Sequence, residues 1–76
     1  MSQKLPRITV KELLRALRRA GWADDHQTGS HLFLRHPTGS GTVVVPMHAR
    51  VVIKPKTLQS ILDQAGLSAD ELRELL

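Results

Sequence analysis

The chain has 76 residues, eleven Lys and Arg against seven Asp and Glu, a net charge of +4 and no cysteine. That length allows a single domain over residues 1–76, with a core near the lower size limit for folding alone and no disulfide to staple it. No stretch is apolar enough for a signal-peptide h-region or a bilayer span, so a soluble cytoplasmic protein is expected, and the absence of cysteine fits a reducing compartment. The basic balance favours a polyanionic partner such as RNA, DNA or an acidic protein, although plain solubility has the same signature.

In chain order, Thr9 and Glu12 have the spacing of a capping box. Val10, Leu13, Leu14, Leu17 and Ala20 then recur at helical period, and Gly21 supplies a stop. This predicts an amphipathic helix with Lys11, Arg15, Arg18 and Arg19 on its polar face, either gripping RNA backbone or simply solvated. Residues 22–26 read as a short first strand, with Trp22 anchoring the core beside Gly21, and residues 27–29 as a tight turn. Residues 30–36 form a second strand, residues 37–41 a reversal, and residues 42–45 a β-branched third strand ended by Pro46. Turns this short permit only antiparallel neighbours, so the three strands form a meander.

Residues 47–54 are a loop with a brief extended piece at 51–53. Pro55 opens a second helix whose stripe is Leu58, Ile61, Leu62 and Ala65, stopped by Gly66. Ser68 and Glu71 form another capping box for a short helix carrying Leu72, Leu75 and Leu76. The fold class is α+β: an α-β-β-β-α order with a small extra helix, a three-stranded antiparallel sheet and both long helices on one face.

Alternation along the second strand turns Leu32 and Leu34 toward the helices. His31, Phe33 and Arg35 share the open face. RNA can be cut without a metal, because its own 2′-OH attacks the adjacent phosphorus once a base removes the proton and an acid protonates the leaving oxygen. His31 supplies a proton carrier, Arg35 a cation for the phosphate and Phe33 a ring for an unpaired base or a docking partner. The bland alternative makes His31 a turn residue that merely opens a strand. His48, after Pro46, is either a second proton carrier from the neighbouring strand or loop filler. His36 alternates onto the core side and reads as structural, and His26 as exposed and idle. No metal or other cofactor is expected: the carboxylates do not converge, and the four histidines lack ligand spacing.

Several segments occur together in a recognisable order: Lys11-Glu12-Leu13-Leu14 with Gly21-Trp22, Gly29-Ser30-His31, Arg35-His36-Pro37, Pro46-Met47-His48, and Thr57-Leu58 through Ile61-Leu62 to Ala65-Gly66-Leu67-Ser68. From about residue 10 to 68 this set resembles the HicA-type toxins, mRNA-cleaving members of type II toxin–antitoxin pairs. The resemblance implies a fold like that of double-stranded-RNA-binding domains and ribosome-independent cleavage of mRNA with His31 as the catalytic residue. It also implies a HicB-type antitoxin that covers the site. Ser30 and Arg35 would then position or stabilise the phosphate. The chain departs from the family at Lys56, where a glycine is usual, and in a less basic loop at 49–52, which weakens the expectation of phosphate contacts there. A non-catalytic double-stranded-RNA-binding module is the alternative, with Lys54 and Lys56 flanking Pro55 as its basic cluster.

Overall fold

The polypeptide folds as α1 (Val10–Arg19), β1 (Ala23–Thr28), β2 (His31–Arg35), β3 (Thr42–Pro46), α2 (Pro55–Ala65) and α3 (Ala69–Leu75). This computed structural model describes residues 4–39, 41–47 and 51–76. The sheet is antiparallel in the order β1-β2-β3, as the short reversals require.

Local signals set the helix ends. The Thr9 hydroxyl accepts the Glu12 N–H at 3.2 Å, and the Glu12 carboxylate accepts the Thr9 N–H at 2.9 Å. Two N–H groups that α1 cannot bond internally are thereby satisfied. Ser68 and Glu71 repeat the device on α3, at 3.1 and 2.9 Å. Pro55 sits in the first turn of α2, and Gly66 ends that helix in the left-handed conformation at φ 70°. The end of α1 is built differently. Gly21 has φ 101°, and a Cβ there would come within 2.5 Å of His36 Nε2, so the chain turns tightly enough to bring that imidazole against the helix terminus.

The helices and sheet bury one cluster. Leu13 and Leu17 of α1, Leu34 of β2, Val43 and Val45 of β3, Leu58, Ile61 and Leu62 of α2 and Leu72 of α3 are all under 2% exposed. Each contributes on the order of 1.5–3 kcal/mol relative to an exposed side chain. Trp22 joins the cluster, as its place beside Gly21 predicts. Leu75 packs at the margin, while Leu76 stays largely exposed.

The limits of all three strands differ from the sequence expectations. β1 runs on through Gln27 and Thr28, which leaves Gly29 and Ser30 as the turn; Gly29 takes the positive φ, 56°. Every residue of β1 is exposed, so an edge strand with no apolar alternation gave no sign of its length. β2 begins at His31 rather than Ser30 and ends at Arg35. β3 includes Pro46, tolerable on an edge strand, and Met47 N–H continues the pairing onto the Ser30 carbonyl. The extended piece at 51–53 is present in part: Val52 bridges to Thr9, and Ile53 N–H donates to Ile8 O at 2.9 Å.

The outer edge of β3 is partly sealed by a side chain. Gln64 of α2 accepts the Val44 N–H at 3.1 Å. Arg19 ties the ends of α1 and α3 together, donating to the Leu75 and Leu76 carbonyls at 2.8 and 3.1 Å.

Candidate active site on the open sheet face

The register sorts the open face into three rows. His31 lies between Thr28 and Pro46, Phe33 between His26 and Val44, and Arg35 between Ala23 and Thr42. Directly paired residues project to the same side of a sheet, so the expected trio of His31, Phe33 and Arg35 shares the face turned away from Leu32 and Leu34. The burial pattern of β2 agrees: His31 and Arg35 are exposed, Phe33 half-buried, Leu32 and Leu34 buried. Ser30 precedes His31 in the turn, exposed, with its carbonyl held by Met47.

His26 is exposed as expected, but it is engaged. Its ring stacks on Phe33 with centroids 4.5 Å apart and planes 7° from parallel. Its Nδ1 lies 2.7 Å from Asp25 Oδ2. The cause is a β-bulge: Asp24 pairs with Leu34, Asp25 is the extra residue, and His26 pairs with Phe33. Strict alternation would place His26 on the same side as Asp24, which faces α1 and bonds the Arg18 guanidinium at 2.9 and 3.2 Å. The bulge moves His26 onto the open face instead. The adjacent Asp25-His26 pair was the sequence signal available for this, and alternation alone could not use it.

The stack also changes what Phe33 offers. One face of its ring is covered by imidazole, so a base arriving from that side meets His26 first. Val44 flanks Phe33 from β3, and the two give the open face an apolar centre between His31 and Arg35.

Other sequence candidates are dispersed. Lys54 caps α2 without a side-chain cap bond and borders a groove of 110 Å³ shared with Pro46, Val51, Val52 and Thr57. Because Pro46 is the register partner of His31, Lys54 stands at the His31 end of the sheet. Lys56 is exposed in the first turn of α2, on a different element from the open-face rows. His48 lies outside the described residues.

Two of the α1 arginines have structural partners: Arg18 with Asp24 and Arg19 with the α3 carbonyls. His36 is structural, as its position implies. Thr38 N–H donates to its Nδ1 at 3.3 Å, so Nε2 carries the hydrogen and donates to Ala20 O at 3.0 Å. Trp22 meets the ring edge-on at 5.3 Å.

A larger groove, 350 Å³, lies by Trp22, His36 and Gln64 at the far end of β2. It is roughly 17 Å along the strand from His31. Both His36 nitrogens and the Gln64 carbonyl oxygen are already bonded, so size there is not matched by available chemistry. Among the described residues no group of three His, Cys, Asp or Glu converges as a metal site.

A small α+β protein with a helix-backed meander, and with histidines, an aromatic ring and an arginine on its solvent face, has the architecture of double-stranded-RNA-binding domains. Residues 10–67 match the family described as the HicA toxin of bacterial toxin–antitoxin systems, and the chain belongs to that family. Membership makes it the toxin of such a system. The comparison with curated proteins finds no match for the chain. No helix among the described residues is long and apolar enough to cross a membrane.

Proposed function

We propose that this toxin is a metal-independent endoribonuclease acting on mRNA in the cytoplasm, with His31 as its essential proton-transfer group. The observation that carries the reading is the row of His31, Phe33 and Arg35 on the open face, at the mouth of the Gly29-Ser30 turn. Imidazole exchanges protons near neutral pH, and guanidinium binds phosphate oxygens through paired N–H donors. Ser30 would lie beside a phosphate held at His31. The ribose 2′-OH provides the nucleophile, so DNA is spared.

A HicB-type antitoxin would silence the enzyme by covering this face, where half-buried Phe33 and Val44 offer an apolar centre between charged rows. Phe33 and the His26 stacked on it would also receive an unpaired base.

The test is induced expression of wild type and His31→Ala, with growth and the decay of a few long mRNAs followed together. Arrest and mRNA loss with wild type alone support the reading. Equal arrest from both moves the chemistry away from His31. Purified protein that binds duplex RNA with steep salt dependence and cleaves no RNA would favour the binding module built on Lys54 and Lys56.

A further inference from the structure

We propose that His26 is a second proton carrier in RNA cleavage, oriented by Asp25 and seated on Phe33, taking the 2′-hydroxyl proton while His31 protonates the leaving oxygen. This rests on the reading of the chain as an endoribonuclease centred on His31.

Two independent contacts fix the His26 ring. The flat stack on Phe33 sets its plane, and the 2.7 Å bond from Nδ1 to Asp25 sets its rotation. A carboxylate oxygen only accepts, so Nδ1 carries the hydrogen and the lone pair of the neutral ring sits on Nε2. That is the arrangement of a general base: a carboxylate behind the imidazole selects the tautomer and balances the charge that forms when Nε2 takes a proton. The side chain remains 56% exposed, so substrate can reach it. An exposed pair of this kind adds at most about 1 kcal/mol to stability, which leaves its ordered geometry without a structural purpose.

Position relative to His31 completes the case. His26 pairs with Phe33 and His31 with Thr28, which makes the two histidines diagonal neighbours on one face. Such neighbours are about 7–8 Å apart at the backbone, leaving room for one phosphodiester between their ring tips. Among the described residues of the three strands, the other charged or titratable groups on this face are Asp25 and Arg35; Thr42, Val44 and Pro46 of β3 bring none, and Lys54 stands beyond the strand end by Pro46.

In the step, the 2′-hydroxyl proton passes to His26 Nε2 and the O2′ electron pair forms a bond to phosphorus. The P–O5′ bond breaks with its electrons on O5′, which takes a proton from the His31 imidazolium. The products are a 2′,3′-cyclic phosphate and a 5′-hydroxyl, and the two histidines return to their starting states by exchange with water. Arg35 faces the charge on the non-bridging oxygens. Asp25 touches no reacting atom and is a positioning residue.

The experiment measures cleavage of a single-stranded RNA oligomer across pH by purified wild type, His31→Ala, His26→Phe, Asp25→Asn and Asp25→Glu. His26→Phe keeps a ring to stack on Phe33 and removes the proton carrier. It should slow cleavage on the order of 10²–10⁴-fold and erase the acid limb of the pH profile. Asp25→Asn should slow the reaction, and Asp25→Glu should restore part of the rate. An oligomer with a 5′-bridging sulfur, whose thiolate leaves without a proton, should rescue His31→Ala but not His26→Phe. Should His26→Phe fail to fold, Asp25→Asn carries the same comparison.

Wild-type rates for His26→Phe or Asp25→Asn beside an inactive His31→Ala would overturn the inference and leave the function standing. Rescue of His26→Phe by the sulfur substrate would overturn its assignment to the 2′-hydroxyl. A wild type that cleaves no RNA would overturn both.

Discussion

At the scale of single residues, exposure separates chemistry from stability. His31 is exposed at the start of β2, and no side-chain hydrogen bond reaches its ring among the described residues. On the proposed function His31→Ala should abolish cleavage, and its exposure means the unfolding free energy should stay within about 0.5 kcal/mol of wild type, read from a denaturant titration. Gly21 is the opposite case. Alanine there must hold φ 101° and push its Cβ against His36, so Gly21→Ala should cost roughly 1–3 kcal/mol and break the His36–Ala20 bond. Glu12 links a residue to pH. The Thr9 N–H, then the Thr9 hydroxyl and Arg15, hold its carboxyl below the ordinary value of 4.5. A lowered pKa stabilises the fold above the ordinary value, and that contribution disappears as pH falls through the folded one. Thermal melts of wild type and Glu12→Gln should converge at low pH and differ slightly, in favour of wild type, near neutrality.

At the scale of elements, the helices obeyed their sequence and the strands obeyed their neighbours. Both capping boxes, Pro55 at the start of α2 and Gly66 at its end act within a few residues, so they are legible before any tertiary contact forms. Thr9→Ala should cost about 1 kcal/mol by removing one such cap. β1 has no apolar pattern, and its limits and bulge are decided by pairing with β2. The β3 edge depends on a partner 20 residues away: Gln64→Ala strips the acceptor from the Val44 N–H. Hydrogen exchange at Val44 should then accelerate, with about 1 kcal/mol lost in stability.

At the scale of the whole molecule, a small core leaves little margin. A chain of this length is stable by roughly 4–11 kcal/mol, and Leu17→Ala in the centre of the cluster should cost about 2–5 kcal/mol. Leu17 is fully buried in that cluster, so the variant should melt far below wild type or fail to accumulate. The open face carries little of that core, so polar substitutions there should cost little stability. A net charge of +4 favours polyanions in general, yet Arg18 and Arg19 are partly committed to Asp24 and to the Leu75 and Leu76 carbonyls. Charge counted along the chain therefore overstates what a phosphate backbone would meet.

The sequence by itself determined the order of elements, the helix ends, the core face of β2 and the sharing of the other face by His31, Phe33 and Arg35. These depend on periodicity and caps, which are local. Only the tertiary structure decided that His26 joins that face, that Val52 bridges to Thr9 and that Gln64 seals the β3 edge. Each of those depends on which residue of another segment lies opposite, and a one-residue bulge is enough to turn a side chain from one face of a sheet to the other.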